Sequence, residues 1–149
     1  MTRKTAREIA VQLSYETVMN PIPGADMLQQ HLDPDYFATL AEEDEAYAEY
    51  PDPDQLAYIR RVAGGVAEHA AEIDGYIAKY AKNWKFERIS KVAAAIMRIA
   101  MFEMLYVPEI PYKAAANEAV EITKLYEDQS VAAFVNGILA SFIREELGQ

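Results

Sequence analysis

The apolar residues between Leu56 and Tyr80 recur at alternating spacings of three and four, and this pattern constrains the fold more than any other feature of the chain. Such spacing places apolar side chains on one face of an α-helix, because the helix completes a turn every 3.6 residues. It predicts either one long helix or two helices divided at Ile73-Asp74-Gly75. The residues of the buried face are Leu56, Ile59, Ala63, Val66, Ala70, Ile73, Ile77 and Tyr80.

Helical patterns also cover most of the remaining sequence, and none of it has a convincing strand pattern. Asp33 and Asp52 each precede a proline at a first helical position, while Ser90 and Ser130 precede apolar helical runs. The run after Ser90 is apolar on nearly every side, which is typical of a central helix. The other predicted helices span residues 5–18, 27–32, 34 onward, 91–105, 112–126 and 131–146. We therefore predict an all-α bundle of six to seven helices.

Composition excludes several classes of function. The chain has 149 residues, no cysteine and two histidines, which excludes disulfides, thiolate zinc sites, iron–sulfur clusters and three-histidine metal sites. It lacks a phosphate-binding loop, a dinucleotide motif and a plausible serine–histidine–aspartate arrangement. We expect no catalysis, no metal and no cofactor. Without a signal-peptide run or an apolar span of about 18 residues, we also expect a cytoplasmic protein that does not enter membranes.

The net charge of −10 is concentrated in one part of the chain. Ten acidic residues and no lysine or arginine lie between Asp26 and Asp54, and the rest of the chain has 14 acidic and 14 basic residues. Residues 41–53, here called the acidic segment, are predicted to form a solvated loop or a frayed helix end. Because the remainder is neutral, it can carry a local basic surface that binds nucleic acid.

One side of the first predicted helix is the leading candidate for such a surface. Ala6, Ile9, Ala10, Leu13 and Thr17 fall on the core side at 100° per residue. The opposite side, here called the first-helix stripe, carries Arg3, Lys4, Arg7, Val11, Ser14, Tyr15 and Val18. Its cations suit RNA phosphates, and Tyr15 suits stacking on an unpaired base. The alternative is an ordinary solvated face, with Tyr15 packed where two subdomains meet.

A second basic cluster follows the long apolar pattern. It comprises Lys79, Lys82, Lys85, Arg88 and Lys91. Trp84 and Phe86 interleave with these cations, a mixture that suits RNA. The alternative is that both aromatic residues plug the junction between subdomains. The predicted helix start at Ser130 also offers free N–H groups to a phosphate.

Three stretches in order resemble the NusB family of bacterial transcription antitermination factors. They are RKTAREIAVQLSY at residues 3–15, IMRIAMFEM at 96–104, and PYK at 111–113 followed by NEAVEITK at 117–124 and FVNGIL at 134–139. The separations fit along the whole chain apart from the acidic segment. Ala93, Ala94 and Ala133 depart from the family, which often has charged residues at these positions.

The resemblance implies a single helical domain of two small subdomains, at about residues 1–82, including the acidic segment, and 83–149. It implies a non-catalytic factor that binds the boxA element of nascent ribosomal RNA transcripts. Its protein partners would be a small-subunit ribosomal protein acting as NusE and the RNA polymerase antitermination complex. The predicted RNA-binding residues are Arg3, Lys4, Arg7, Tyr15, Lys85, Arg88, Lys91, Ser130 and Phe134. The predicted partner-binding residues are Glu103, Glu118 and Glu121. The alternatives are a structural role for the stretch from Phe134 and a solvated face for Glu118 and Glu121, paired with Lys113 or Lys124.

Two other hypotheses stay open. The net charge and the three alanine departures are also compatible with a helical protein–protein interaction module that has little RNA affinity. Glu118-x-x-Glu121 and His69-x-x-Glu72 suggest a metal-dependent helical enzyme. However, the di-iron pattern of helical bundles needs two Glu-x-x-His copies, which this sequence does not contain.

Overall fold

The computed structural model describes residues 1–19, 24–82, 84–85 and 88–149, and these residues are helical without any strand. This confirms the predicted all-α class. The α-helices of the described chain are α1 (Arg3–Met19), α2 (Gly24–His31), α3 (Pro34–Thr39), α4 (Pro53–Glu68), α5 (Ala70–Tyr80), α6 (Lys91–Tyr106), α7 (Tyr112–Tyr126) and α8 (Gln129–Ser141). A 3₁₀ turn (Glu45–Tyr47) and a π-helical turn (Phe142–Glu146) are also present. Within this described part, no helix is long and apolar enough to cross a membrane.

Contacts between helices group the chain into two compact units, Met1–Glu68 and His69–Gln149. The sequence-based division after residue 82 assigns α5 to the first unit. In the structure α5 packs against α6 and α8, and its contacts therefore belong to the second unit.

The N-terminal unit is built around α1, which packs against α4, α2 and the 3₁₀ turn. Its largest fully buried side chains are Ile9, Leu13, Met27, Phe37 and Ile59. Burying side chains of this kind stabilises the fold by about 1.5–3 kcal/mol each. The carboxylates of Asp33 and Asp52 accept backbone N–H groups at the starts of α3 and α4, which confirms both predicted caps.

The acidic segment is better ordered than a solvated loop. Tyr47 is 7% exposed, and its ring centroid lies 4.8 Å from that of Phe37. Asp44 caps the 3₁₀ turn by accepting the Ala46 N–H at 2.9 Å. Tyr50 packs on the same phenylalanine, with ring centroids 5.1 Å apart. The prediction of a wholly solvated segment is therefore wrong, because two tyrosines hold it against the core while its glutamates stay exposed.

In the C-terminal unit, α6 is the central helix, as predicted. Every residue from Ala93 to Met104 is buried, because α5, α7 and α8 all pack against α6. Ser90 caps α6 by accepting the Ala93 N–H at 3.2 Å, which confirms its predicted role.

The long apolar pattern is divided at His69 and not at Gly75. His69 leaves helical geometry at φ −110° and ψ 18°, and α5 continues through Gly75 to Tyr80. The His69 ring stacks on Tyr106 of α6 with centroids 4.4 Å apart. This stacking of His69 on α6 explains why the helix is interrupted at His69, which the local sequence does not indicate.

The last helix starts two residues earlier than predicted. Asp128 is its N-cap and accepts the Val131 N–H at 3.1 Å, so the prediction that Ser130 caps this helix is wrong. Aspartate and serine are both strong cap residues, and the sequence places the two close together. The α-helix ends at Ser141 and a π-helical turn follows it.

Candidate nucleic-acid interface

Arg3 and Lys4 lie at the N-terminus of α1 with exposed side chains. The Arg3 Nε–H donates a 2.8 Å hydrogen bond to Oε1 of Gln55 in α4. The guanidinium carbon of Arg3 also lies 4.0 Å from the ring centroid of Tyr58. A cation at a helix N-terminus opposes the helix macrodipole. The contacts with α4 offset this unfavourable position and hold a positive charge at the surface.

The next cation of the first-helix stripe is placed differently. Arg7 is only 6% exposed, which corrects the prediction that it lies on an accessible face. Val11 and Ser14 are buried as well, and the side chain of Val18 lies outside what the structure describes. The reason is that α1 packs against three elements, so its buried surface is wider than a one-sided amphipathic pattern predicts.

Tyr15 lies eleven residues beyond Lys4, about 16 Å further along the axis of α1. Its side chain is half-buried. The accessible part of the first-helix stripe is therefore two exposed cations at one end and one partly exposed ring towards the other.

The acidic segment contacts the same helix. Nε2 of Gln12 donates a 3.0 Å hydrogen bond to Oδ2 of Asp44. The hydroxyl of Tyr47 donates to Oε1 of the same glutamine. Both amide atoms of Gln12 therefore bind the acidic segment and hold it against α1.

Negative charge is also close to the start of α1. The N-terminal ammonium group of Met1 pairs with Glu49 at 3.0 Å. Burial raises the pKa of the Glu8 carboxyl, the charge of Asp44 raises this pKa further, and Lys4 opposes both effects. The acidic segment thus adds negative potential near the exposed cations of the first-helix stripe.

The C-terminal unit has a cavity of ≈ 250 Å³ between the start of α6 and the start of α8. Here called the Trp84 pocket, it is lined by Trp84, Arg88, Ile89, Ser90, Ala93, Ser130, Val131 and Phe134. The indole of Trp84 is 57% exposed and lies edge-on to Phe134, with ring centroids 5.5 Å apart. An exposed aromatic ring beside an arginine and two hydroxyl groups suits an unpaired base and its phosphate.

The Trp84 pocket brings together three of the residues predicted to bind RNA, namely Arg88, Ser130 and Phe134. Lys85 and Lys91 are exposed, but they do not line the pocket.

Trp84 is also a proposed plug for the junction between subdomains; within the C-terminal unit its ring packs on Phe134 and is otherwise largely exposed. Phe86, the second proposed plug, lies outside the described residues. The sequence did carry a signal for an exposed indole, because Trp84 lies between Lys82 and Lys85.

The start of α8 already carries a negative charge. The Ser130 hydroxyl donates a 2.6 Å hydrogen bond to Oδ1 of Asp128, the oxygen that also accepts the Val131 N–H. These bonds, the serine hydroxyl first, lower the pKa of the Asp128 carboxyl. A phosphate at this helix start would meet the Asp128 carboxylate, so Ser130 contributes to the pocket as a hydroxyl and not as a free helix end.

The acidic residues predicted to bind a protein partner differ in exposure. Glu103 is 0% exposed, which corrects its predicted place on a partner surface; it belongs to the central helix and is covered on all sides. Glu118 is half-buried, while Glu121 is exposed and pairs with Lys124 at 3.4 Å. Exposed pairs of this kind are weak, so Glu121 is available to a basic partner.

The motif His69-x-x-Glu72 does not extend into a metal site in the described chain. Nδ1 of His69 lies 3.8 Å from Glu72, whose carboxylate also accepts the Tyr106 hydroxyl at 2.7 Å. Among the described residues, no three histidine, aspartate or glutamate side chains are grouped closely enough to hold a metal ion.

Comparison with known proteins gives one consistent family. The model of the NusB family matches residues 4–144. The chain is 35% identical to a transcription antitermination protein NusB of Ruminiclostridium cellulolyticum over 149 residues, which cover 100% of this chain and 93% of that protein. The fold of this chain is similar to that of T. maritima NusB, with a TM-score of 0.79 and 26% sequence identity. The match covers 97% of this chain and 92% of the T. maritima chain.

A third similarity concerns a chain in the crystal structure of antitermination factors NusB and NusE in complex with dsRNA. The TM-score is 0.72 at 22% identity, with 93% of each chain covered. At this identity the match speaks for the fold alone.

Proposed function

Because the chain belongs to the NusB family, we propose that it is a transcription antitermination factor that binds boxA-type single-stranded RNA of nascent ribosomal transcripts. It acts together with a small-subunit ribosomal protein in the role of NusE, inside the RNA polymerase antitermination complex. It works in the cytoplasm and catalyses no reaction. The family model over residues 4–144 and the relatives that are named transcription antitermination protein NusB support this role.

The observation that carries the RNA proposal is the exposure of Trp84 beside Arg88. A tryptophan that is 57% exposed leaves a large apolar area in water, where it contributes little to the fold. Stacking of a base on an aromatic side chain contributes about 1–3 kcal/mol. Arg88 supplies the positive charge for the adjacent phosphate. The hydroxyls of Ser90 and Ser130 already donate to Glu127 and Asp128, so towards RNA they act only as hydrogen-bond acceptors.

The N-terminal unit supplies a second set of contacts. Arg3 and Lys4 bind phosphates, and Tyr15 offers the exposed part of its ring to a base. Arg7 has no direct role in this proposal because it is buried. Lys85 and Lys91 add positive charge beside the Trp84 pocket, and Glu118 and Glu121 face the protein partner.

Titration of a labelled boxA-type RNA, followed by fluorescence anisotropy with and without the ribosomal partner, tests the proposal. A scrambled RNA of equal length is the control. We expect tighter binding of the boxA-type RNA, further tightening with the partner, and steep weakening with salt. Absence of binding at low salt in both arrangements would contradict the RNA proposal.

The burial of Arg7 and the contact of the acidic segment with α1 favour a second candidate, a protein interaction module with little RNA affinity. This candidate predicts that the ribosomal partner binds equally well to wild type and to an Arg3→Ala, Tyr15→Ala double variant. It also predicts that added RNA does not change the affinity for the partner.

A further inference from the structure

The side chain of Arg3 is fixed in a way that an exposed arginine ordinarily is not. A long exposed side chain samples many rotamers and loses that freedom when it binds a ligand. Here Gln55 accepts the Arg3 Nε–H at 2.8 Å, and Tyr58 lies beneath the guanidinium carbon at 4.0 Å. The hydrogen bond uses Nε and involves neither terminal nitrogen.

We propose that Gln55 and Tyr58 are positioning residues, which hold the Arg3 guanidinium in the orientation that binds an RNA phosphate or base. This inference rests on the proposed RNA-binding function and adds two residues of α4 to its machinery. A guanidinium that is already oriented loses less conformational freedom when it binds. Its donors form a rigid planar fork, so fixing the side chain also fixes the direction of its hydrogen bonds.

The burial of Tyr58 and Gln55 shows whether each side chain can touch RNA itself or acts only by holding Arg3. Tyr58 is 5% exposed, so its ring is not accessible to RNA and acts only through the side chains packed on it. Arg7 lies 5.6 Å from the same ring, which places two cations around one buried aromatic side chain. Gln55 is half-buried, and its amide oxygen is occupied by Arg3.

A double-mutant cycle on RNA affinity tests the inference. We expect Gln55→Ala to weaken RNA binding about two- to tenfold when Arg3 is present, and to have no effect in the Arg3→Ala background. Gln29→Ala, an exposed glutamine of α2, is the matched control and leaves affinity unchanged in both backgrounds. Tyr58→Phe keeps the ring and the affinity, whereas Tyr58→Leu removes the cation–π contact and weakens binding.

The outcomes distinguish failure of the proposed RNA-binding function from failure of the positioning role of Gln55 and Tyr58. No binding by the wild-type chain contradicts the proposed function and this inference with it. Binding by the wild type with equal losses from Gln55→Ala in both backgrounds, or with no loss, contradicts the inference alone. The Arg3 Nε–H resonance gives a readout independent of RNA, since it exchanges slowly with water in the wild type and rapidly in Gln55→Ala if the glutamine holds the guanidinium.

Discussion

The ring of Phe134 supports the indole of Trp84 edge-on, with centroids 5.5 Å apart and planes at 68°. Phe134 is half-buried at the start of α8, whereas Trp84 is 57% exposed just before α6. Edge-to-face pairs contribute about 0.5–1.5 kcal/mol beyond burial. Phe134 therefore packs against an indole that still exposes more than half of its surface to solvent, which leaves room for a stacking base.

Trp84→Ala should weaken RNA binding by about 1–3 kcal/mol, or roughly 5- to 150-fold, because it removes the stacking surface. Anisotropy with a labelled RNA measures the change, and Trp84→Phe should fall between the alanine variant and the wild type. Tyr36→Ala is the control, since it removes another exposed aromatic ring from the N-terminal unit, outside the proposed contacts. Equal affinities for wild type and Trp84→Ala would remove the pocket from the interface.

Arg88→Ala and Lys4→Ala should each reduce the dependence of affinity on salt. A side chain that neutralises one phosphate of a single strand contributes about 0.7 to the slope of log K against log salt. Titrations at several salt concentrations measure the slope for each variant. Lys124→Ala is the control, because Lys124 already pairs with Glu121 and has no proposed RNA contact. An unchanged slope in both Arg88→Ala and Lys4→Ala would show that neither cation meets a phosphate.

Much of this fold can be predicted from local sequence. The helical periodicity and the caps at Asp33, Asp52 and Ser90 depend on neighbouring residues, and the structure agrees with them. The predicted cap of α8 is misplaced because Asp128 and Ser130 are both suitable cap residues. The other misplaced features depend on contacts between distant residues. The break at His69 follows from stacking on Tyr106, which no local pattern reveals.

In the candidate interface too, local patterns predict some features, and contacts between distant residues decide others. Exposed cations such as Lys4 and Arg88 can be found by spacing and charge alone. The burial of Arg7 depends on the elements packed around α1, among them α4 with Tyr58, which is 51 residues away in the sequence. The burial of Glu103 depends on the helices packed around α6. A helical wheel treats α1 as covered on one face, whereas three elements pack against it. Glu103 lies in α6, which the sequence already predicts to be central.

Neutralising the exposed carboxylates of the acidic segment should strengthen RNA binding. Glu42→Gln, Glu43→Gln and Glu45→Gln together remove three negative charges from a segment whose Asp44 is bonded to α1. These substitutions leave Tyr47 packed in the core, whereas a deletion of the segment would remove it. We expect a gain of about two- to fivefold at low salt that fades above roughly 0.15 M, because screening then acts within about 8 Å.

Anisotropy titrations at low and physiological salt measure this effect. Glu121→Gln, an exposed carboxylate of the C-terminal unit, is the matched control. Unchanged affinity in the triple variant would mean that the acidic segment does not shield the RNA-binding surface.

The charge of Asp128 should stabilise the fold only above acid pH. Its pKa lies below the ordinary value of 3.8, so its contribution is present above that value and is lost as the pH falls through the folded pKa. Asp128→Asn keeps a capping oxygen but removes the charge, so its Tm should lie below that of the wild type at pH 7 and meet it at strongly acid pH.

Thermal unfolding followed by circular dichroism measures both Tm values across this range. Ser130→Ala is the companion variant: it should move the pKa of Asp128 back towards its ordinary value, because the serine hydroxyl is the largest cause of the shift. A Tm difference that is the same at every pH would show that the charge plays no part.

The most direct measurement uses the fluorescence of Trp84, the one tryptophan of the chain. If an unpaired base stacks on its exposed indole, adding boxA-type RNA should quench its emission saturably, with the affinity found by anisotropy, and the scrambled RNA should do so only at higher concentration. RNA binding by anisotropy with unchanged tryptophan emission would contradict stacking on Trp84, and no binding at all would contradict the RNA-binding function.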